Sequence, residues 1–180
     1  DGLKITEKVY TSIEGENPTT MAKSTGLATI ELASCFDKLQ PDIVLTVADR
    51  YETLATAIAA SYMNIKLAHT QGGEVTGSID ESVRHAITKL SHIHFVTNEN
   101  SMQRILKLGE EPFRVFNVGH PGLDRFINTP NLNKKEIFKS LNLNININDP
   151  LLIVIQHSVS SEIDAAYFQM KETLESINSP

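Results

Sequence analysis

Short apolar runs alternate with longer stretches of helical periodicity from residue 21 to residue 118. The short runs are aliphatic and β-branched, and they predict strands at 43–47, 66–69, 93–97 and 115–118. Apolar residues three and four positions apart predict helices at 21–39, 51–63, 80–90 and 99–109. Strands that alternate with helices in this way are typical of a parallel sheet wrapped by helices. The pattern therefore predicts an α/β fold with a Rossmann-like parallel sheet.

The amino-acid composition of the chain changes after residue 126. Residues 128–149 are rich in Asn and Lys and predict a linker between domains, with a short helix at 134–141. An apolar run at 151–155 then predicts a strand, and a helix is predicted at 162–177. The predicted division is most of a first Rossmann-like domain at 1–127, a linker at 128–149 and the start of a second, nucleotide-binding domain at 150–180.

The two ends of the chain are less well determined by pattern. Residues 1–20 predict at most one strand and a loop that contains Gly15 and Pro18. The chain begins at Asp1 without Met and stops just after a predicted helix. We therefore expect a truncated part of a longer protein.

Composition and charge exclude several classes of protein. The formal net charge is −6, which argues against a general nucleic-acid binder because such proteins need a basic face. No apolar run approaches the roughly 20 residues of a membrane-spanning helix, and no signal peptide opens the chain. The lone Cys35 cannot form an intramolecular disulfide and fits a reducing compartment. These features predict a cytoplasmic protein with no membrane or nucleic-acid partner.

Polar or glycine-rich segments follow the predicted strands. In open α/β sheets ligands bind beyond the carboxyl ends of the strands. The segments at these positions are 48–50, 70–74, 119–122 and 156–158. Their concentration at one edge of an otherwise apolar sheet predicts a site there.

The candidate residues also have structural interpretations. Asp49 could cap the helix at 51–63, with Arg50 as a surface cation. The pair Gly72 and Gly73 could form a tight turn, or it could let a ligand approach the backbone.

The helix at 80–90 starts with charged residues one turn apart. Its spacing predicts i,i+4 pairs of Asp80 with Arg84 and of Glu81 with His85, which would suit a capped amphipathic helix. The core side would consist of Val83, Ala86, Ile87 and Leu90. The same charged groups would also suit acid/base chemistry and phosphate binding at a helix start.

Other catalytic chemistries have little support in the sequence. We interpret His92 and His94 as structural, and His69 as either a core or a lining residue. No cluster has metal-ligand spacing, so we predict no metal. No GxGxxG, Walker or G-x-S-x-G motif occurs, and the single Cys lies within a helix. We therefore expect neither a cofactor nor a covalent nucleophile.

Motifs in residues 42–126 resemble the hydrolysing UDP-N-acetylglucosamine 2-epimerases of sialic-acid-type sugar biosynthesis. "DR" at 49–50, "GGEVTGSID" at 72–80 and "SVRHAITKLSH" at 82–92 occur in the family's order, and "VIQHSVSSEID" at 154–164 resembles the opening of its second domain. The likeness covers roughly residues 21–170. It implies the first half of a two-domain GT-B fold, a UDP-sugar substrate, no cofactor and a homo-oligomer, either a dimer or a tetramer.

The resemblance also implies a reaction and its residues. A base removes the C2 proton while UDP leaves C1, and water then adds with inversion at C2 to release N-acetylmannosamine. The implied catalytic residues are Asp49, Asp80 and His157. The implied substrate-binding residues are Arg50, Gln71, Gly72, Gly73, Glu74, Glu81, Arg84 and His85.

Gln71 departs from the resemblance, because relatives such as the bifunctional animal enzyme carry a Glu there. An amide cannot transfer a proton near neutral pH. Gln71 therefore leaves the acid/base work to Asp49 and Asp80, or indicates a variant substrate. Three alternatives stay open: an epimerase of a UDP-2,4-diacetamido-trideoxyhexose (legionaminic acid pathway), a catalytically silent UDP-sugar-binding domain, and a GT-B glycosyltransferase.

Overall fold

A computed structural model describes residues 4–15, 17–47, 49–159 and 162–178. The chain divides into two compact units, Asp1–Pro121 and Gly122–Pro180. The division falls before the boundary predicted after residue 127, and the assignment of the second unit to a nucleotide-binding domain stays a prediction.

The described part of the first unit contains a parallel sheet of four strands in the order β1-β2-β3-β4. Each of the four runs predicted as strands between residues 43 and 118 forms one, with ends that shift by about one residue. The strands are β1 (Ile43–Val47), β2 (Lys66–Thr70), β3 (Ile93–Val96) and β4 (Val115–Asn117). All neighbours are parallel, so the carboxyl ends of the four strands lie along one edge.

Helices precede or connect these strands. They are α1 (Pro18–Leu39), α2 (Tyr51–Tyr62), α3 (Ile79–Leu90) and α4 (Glu99–Lys107). Pro18 opens α1 because its fixed φ suits the first helical position, and Asn17 caps the helix through the backbone N–H of Thr20. The prediction that Pro18 lies in a loop is therefore wrong, and so is the strand allowed before it, because residues 4–15 form neither helix nor strand.

The core lies on one face of the sheet. Along β1 the inward residues Val44 and Thr46 are buried, whereas the alternate residues Ile43, Leu45 and Val47 are about half exposed. A buried cluster joins Val44 and Leu67 of the sheet to α2 and to Ile87 of α3. Four alanines of α2 are buried, and their small side chains let the helix approach the sheet closely: Ala55, Ala57, Ala59 and Ala60.

Three histidines stabilise the sheet. His69 and His94 face the core side of β2 and β3 and are fully buried. His69 Nδ1 lies 3.4 Å from Thr88 Oγ1, and His94 Nε2 lies 3.2 Å from Glu110 Oε2. His92 Nδ1 accepts a hydrogen bond from the backbone N–H of Leu67. The structural interpretation of His92 and His94 is confirmed, and His69 is a core residue.

The second unit is mostly helical. Its helices are α5 (Pro121–Asn128, which starts at the junction), α6 (Lys134–Ser140) and α7 (Ala166–Asn178). The predicted strand at 151–155 is wrong, because a strand needs a hydrogen-bonded neighbour and these exposed residues pair with no described strand. Across the ranges that the structure describes, no helix combines the length and apolar character that crossing a bilayer requires.

Candidate active site

Arg84 joins two strand ends at the carboxyl edge of the sheet. Its guanidinium Nη2 donates to the carboxylate of Asp49, which follows β1, and Nη1 donates to the backbone carbonyl of Glu74, which follows β2. The Arg84 side chain is only 3% exposed and that of Asp49 19%. A charge at this depth requires its partner, so Asp49 and Arg84 form one unit.

These contacts correct two expectations about charged pairs. Arg84 pairs with Asp49 and does not form the predicted ion pair with Asp80, because it turns inward from α3 towards β1. Asp49 does not cap α2, because the N-cap position is Arg50 and it makes no side-chain cap bond. Arg50 is a surface cation as predicted, since it is 71% exposed and pairs with Glu52.

Gly72 and Gly73 are required by close packing. A Cβ on Gly72 would meet side-chain atoms of His69, Thr88 and Ile105 at 3.1 Å. Gly73 has φ of +79°, and a Cβ there would lie 2.3 Å from the carbonyl oxygen of Ser101 in α4. Both glycines therefore fit the turn interpretation, and their contact with a substrate stays a prediction.

Glu74 lies beyond this turn and is held by its neighbours. Its carboxylate Oε1 accepts a hydrogen bond of 2.9 Å from Thr97 Oγ1, and its carbonyl accepts from Arg84. Arg104 of α4 also donates to the carbonyl of Gly73. Glu74 therefore connects the ends of β2 and β3 and shapes the loop between β2 and α3.

The start of α3 carries a second group of polar residues. Ser78 caps the helix, and its Oγ lies 3.2 Å from Asp80 Oδ2. Glu81 Oε2 accepts hydrogen bonds from the backbone N–H groups of Thr76 and Gly77, at 2.9 and 2.8 Å. These two N–H groups lower the pKa of Glu81, because they stabilise its charged form. Glu81 therefore closes the loop before the helix.

His85 and Glu81 form the predicted i,i+4 pair, with His85 Nε2 3.9 Å from Glu81 Oε1. On the core side of α3, Ile87 is fully buried and Val83 and Leu90 pack against the core as predicted. Ala86 is exposed, so its placement in the core was wrong. Arg84 and Thr88, which were not predicted on the core side, are buried.

The loop after β2 also meets the loop after β4. Gln71 has a left-handed φ of +62°, and its Nε2 donates to Nε2 of His120 across 3.3 Å. His120 belongs to a segment that the strand-end rule selected, but it was not among the predicted site residues.

Two further residues were missed as supports of the site. Thr97 directly follows β3, so the same strand-end rule could have identified it. Arg104 lies within α4, and no sequence signal marks it. His157 is exposed and belongs to the second unit, so its role stays a prediction. Among the side chains that the structure describes, no three His, Cys, Asp or Glu residues form a group that could hold a metal ion.

Comparison with known families gives a match along the whole chain. A profile described as UDP-N-acetylglucosamine 2-epimerase matches residues 1–180. The chain is 36% identical over 177 residues to GDP/UDP-N,N'-diacetylbacillosamine 2-epimerase (hydrolyzing) of Campylobacter jejuni, covering 98% of this chain and 46% of the relative. It is 38% identical over 155 residues to UDP-N,N'-diacetylbacillosamine 2-epimerase (hydrolyzing) of Legionella pneumophila, covering 86% and 41%. The chain thus spans less than half the length of these relatives.

Solved structures show the same fold. The Methanocaldococcus jannaschii UDP-GlcNAc 2-epimerase in complex with UDP-GlcNAc and UDP superposes with a TM-score of 0.69 at 23% identity, over 88% of this chain and 44% of that one. The Neisseria meningitidis UDP-GlcNAc 2-epimerase bound to UDP-GlcNAc gives 0.58 at 23% identity, over 68% and 33%. The likeness confirms the predicted fold class, an α/β parallel sheet of the GT-B type.

Proposed function

Because this chain belongs to the UDP-N-acetylglucosamine 2-epimerase family, we propose that it forms part of an enzyme that hydrolyses a UDP-sugar with inversion at C2. The observation that supports this most is the buried pair of Asp49 and Arg84. This pair joins the end of β1 to α3. Asp80 lies in the first turn of α3, about 5–6 Å along the helix axis from Arg84, which is one helical turn. Two carboxylates from separate elements thus belong to one end of the sheet.

The proposed reaction needs groups that move protons at the sugar ring. In the first step a base takes the proton from C2, the electron pair forms the C1=C2 double bond, and UDP leaves with the electrons of the C1–O bond. In the second step water oxygen bonds to C1, and a proton returns to C2 on the opposite face. The net reaction consumes one water and releases UDP and the epimeric sugar, so no redox equivalent is needed.

The two carboxylates differ in their surroundings. Asp49 is held by Arg84, whose buried guanidinium donates a hydrogen bond to its carboxylate. Asp80 is half-buried at the start of α3, where the helix dipole stabilises a negative charge. We propose both as catalytic carboxylates, with Arg84 as the residue that positions Asp49.

We propose that the other predicted site residues hold the loops around the two carboxylates or bind the substrate. Glu81 and Glu74 hold the loops through the hydrogen bonds described above, and His85 contacts Glu81. Arg50 is exposed at the same edge and is proposed to attract the diphosphate. His157 of the second unit is proposed, from the family resemblance, as a further catalytic residue.

For the substrate, we propose a UDP-sugar that carries acetamido groups at C2 and C4. The relatives matched over 98% and 86% of the chain are both named for diacetylbacillosamine. UDP-N-acetylglucosamine is the second candidate, because the Neisseria meningitidis enzyme named for it is 41% identical over 88 residues, 49% of the chain.

The substrate proposal can be tested by direct competition. The full-length protein would be incubated with UDP-N,N'-diacetylbacillosamine and with UDP-N-acetylglucosamine, and release of UDP and free sugar would be followed by chromatography. We expect a higher kcat/KM for the diacetylated sugar. A higher value for UDP-N-acetylglucosamine would reverse the assignment, and UDP binding without turnover of either sugar would indicate a silent binding domain.

Substitution of Asp80 tests the catalytic assignment. Asp80→Asn in the full-length enzyme should lower kcat roughly 100-fold or more, the usual effect of losing an acid/base group. Asn still accepts a hydrogen bond from Ser78, so the cap should survive. Asp42→Asn is the matched control, because Asp42 is exposed at the opposite, amino end of β1. Activity of Asp80→Asn within a few-fold of the control would reduce Asp80 to a helix-capping role.

A further inference from the structure

On the basis of the proposed function, we infer that His120 is a catalytic residue that returns a proton to C2 in the second step, with Gln71 holding its ring. The two side chains meet between the loop after β2 and the loop after β4, with Gln71 Nε2 3.3 Å from His120 Nε2. Gln71 and His120 are 49 residues apart in sequence, so the fold brings them together.

The need for a third proton-transfer group follows from the stereochemistry of the reaction. Asp49 already receives a hydrogen bond from the buried guanidinium of Arg84. Inversion at C2 requires a base on one face of the ring and an acid on the other. Asp80 can serve one face, and the opposite face needs a group that donates.

Imidazole is suited to that donation. Histidine is the side chain that both holds and releases a proton near neutral pH. Gln71 itself cannot do so, because an amide neither gains nor loses a proton there. In this pair His120 transfers the proton, and Gln71 orients the imidazole ring of His120.

The amide is a suitable partner for both charge states of His120. Its nitrogen can donate to a ring nitrogen of neutral imidazole, and the structure places Gln71 Nε2 3.3 Å from His120 Nε2. After rotation its oxygen can accept from the N–H of imidazolium. A carboxylate at position 71 would instead pair with imidazolium and hold the proton on the ring. Gln71 therefore orients His120 without preventing release of its proton.

In the inferred step the imidazolium of His120 gives its proton to C2 of the 2-acetamidoglycal. The π electrons of C1=C2 form the new C2–H bond, water oxygen bonds to C1, and a carboxylate takes the proton released by that water. His120 then regains a proton from solvent and the carboxylate returns its own, so the protons balance over one turnover.

His120→Ala in the full-length enzyme tests this assignment. With whichever of the two UDP-sugars the wild type hydrolyses, we expect free sugar to form about 100-fold more slowly. UDP release should fall less, so that 2-acetamidoglycal accumulates and can be detected by NMR. Added imidazole should restore sugar formation at least about tenfold, because it can supply the missing acid. His120 is exposed, so the variant is expected to fold, and His120→Gln would give an independent second variant.

The control is His92→Gln, which removes an exposed histidine at the amino end of β3 and retains an acceptor for Leu67. It should form sugar at the wild-type rate without glycal. If the His120 variants lose UDP and sugar in parallel without glycal, or match His92→Gln, the inference is overturned. A wild-type enzyme that releases no UDP would instead reject the proposed function on which the inference rests.

Discussion

Replacing Arg84 by Met should be among the most destabilising single changes at the site. Met keeps an apolar stem of similar length but removes both the charge and the donors. The Arg84 side chain is 3% exposed, and loss of its guanidinium leaves the Asp49 side chain, 19% exposed, without this partner. Breaking a buried pair by removing one member costs about 3–5 kcal/mol, largely because the remaining charge is still desolvated. The backbone carbonyl of Glu74 loses its donor as well.

Arg50→Met provides a matched control with the same chemical change on the surface. Arg50 is 71% exposed and pairs with Glu52, which is 40% exposed, so its loss should cost about 0–1 kcal/mol. The two variants therefore differ mainly in the burial of the pair.

Urea unfolding of the full-length protein measures this difference. The Arg84 variant should show a lower midpoint at an unchanged slope, and the double variant with Asp49→Asn should lose less than the sum of the single changes, because the two groups interact. If Arg84→Met costs no more than Arg50→Met, the claim that a buried ion pair organises this edge of the sheet is refuted.

Two other predictions follow from buried positions. Gly73→Ala should destabilise the protein by several kcal/mol, because its Cβ would meet the Ser101 carbonyl at 2.3 Å. The control Gly77→Ala, at φ +70° in open space, should cost about 1 kcal/mol. Equal unfolding midpoints for the two variants would contradict this prediction. Burial of His94 outweighs the attraction of Glu110 and lowers the pKa of His94 from its ordinary value of 6.5. At a pH between the folded and unfolded pKa values, the unfolded chain therefore binds a proton at this residue that the folded chain does not. Stability should fall as pH decreases below about 6.5, and His94→Gln should weaken that dependence in urea titrations; an unchanged profile would argue against it.

Local pattern was sufficient to predict the sheet. The run at 43–47 forms β1 because β2 pairs with it and α2 packs on one of its faces. The similar run at 151–155 forms no strand, because its formation depends on a partner strand that local sequence does not provide. The proline at the start of α1 is a recognised helix-start signal, whereas hydrophobic periodicity alone starts this helix at residue 21.

Side-chain partners were harder to predict than elements. Spacing on α3 predicted Asp80 as the partner of Arg84, but the partner is Asp49, 35 residues away. Such a contact depends on the tertiary arrangement of β1 and α3, and a rule based on helical spacing cannot detect it. The contact of Gln71 with His120 is of the same kind, although both residues lie at strand ends that the sequence had identified.

The fate of the hydrogen at C2 tests the central claim most directly. The full-length enzyme would hydrolyse the UDP-sugar in D2O, and the free sugar would be examined by NMR. If the C2 proton is removed and a deuteron from solvent replaces it on the opposite face, the product is the C2-epimeric sugar with deuterium at C2. UDP is released together with it. A sugar that retains its original hydrogen and configuration at C2 would show simple hydrolysis and would contradict the account.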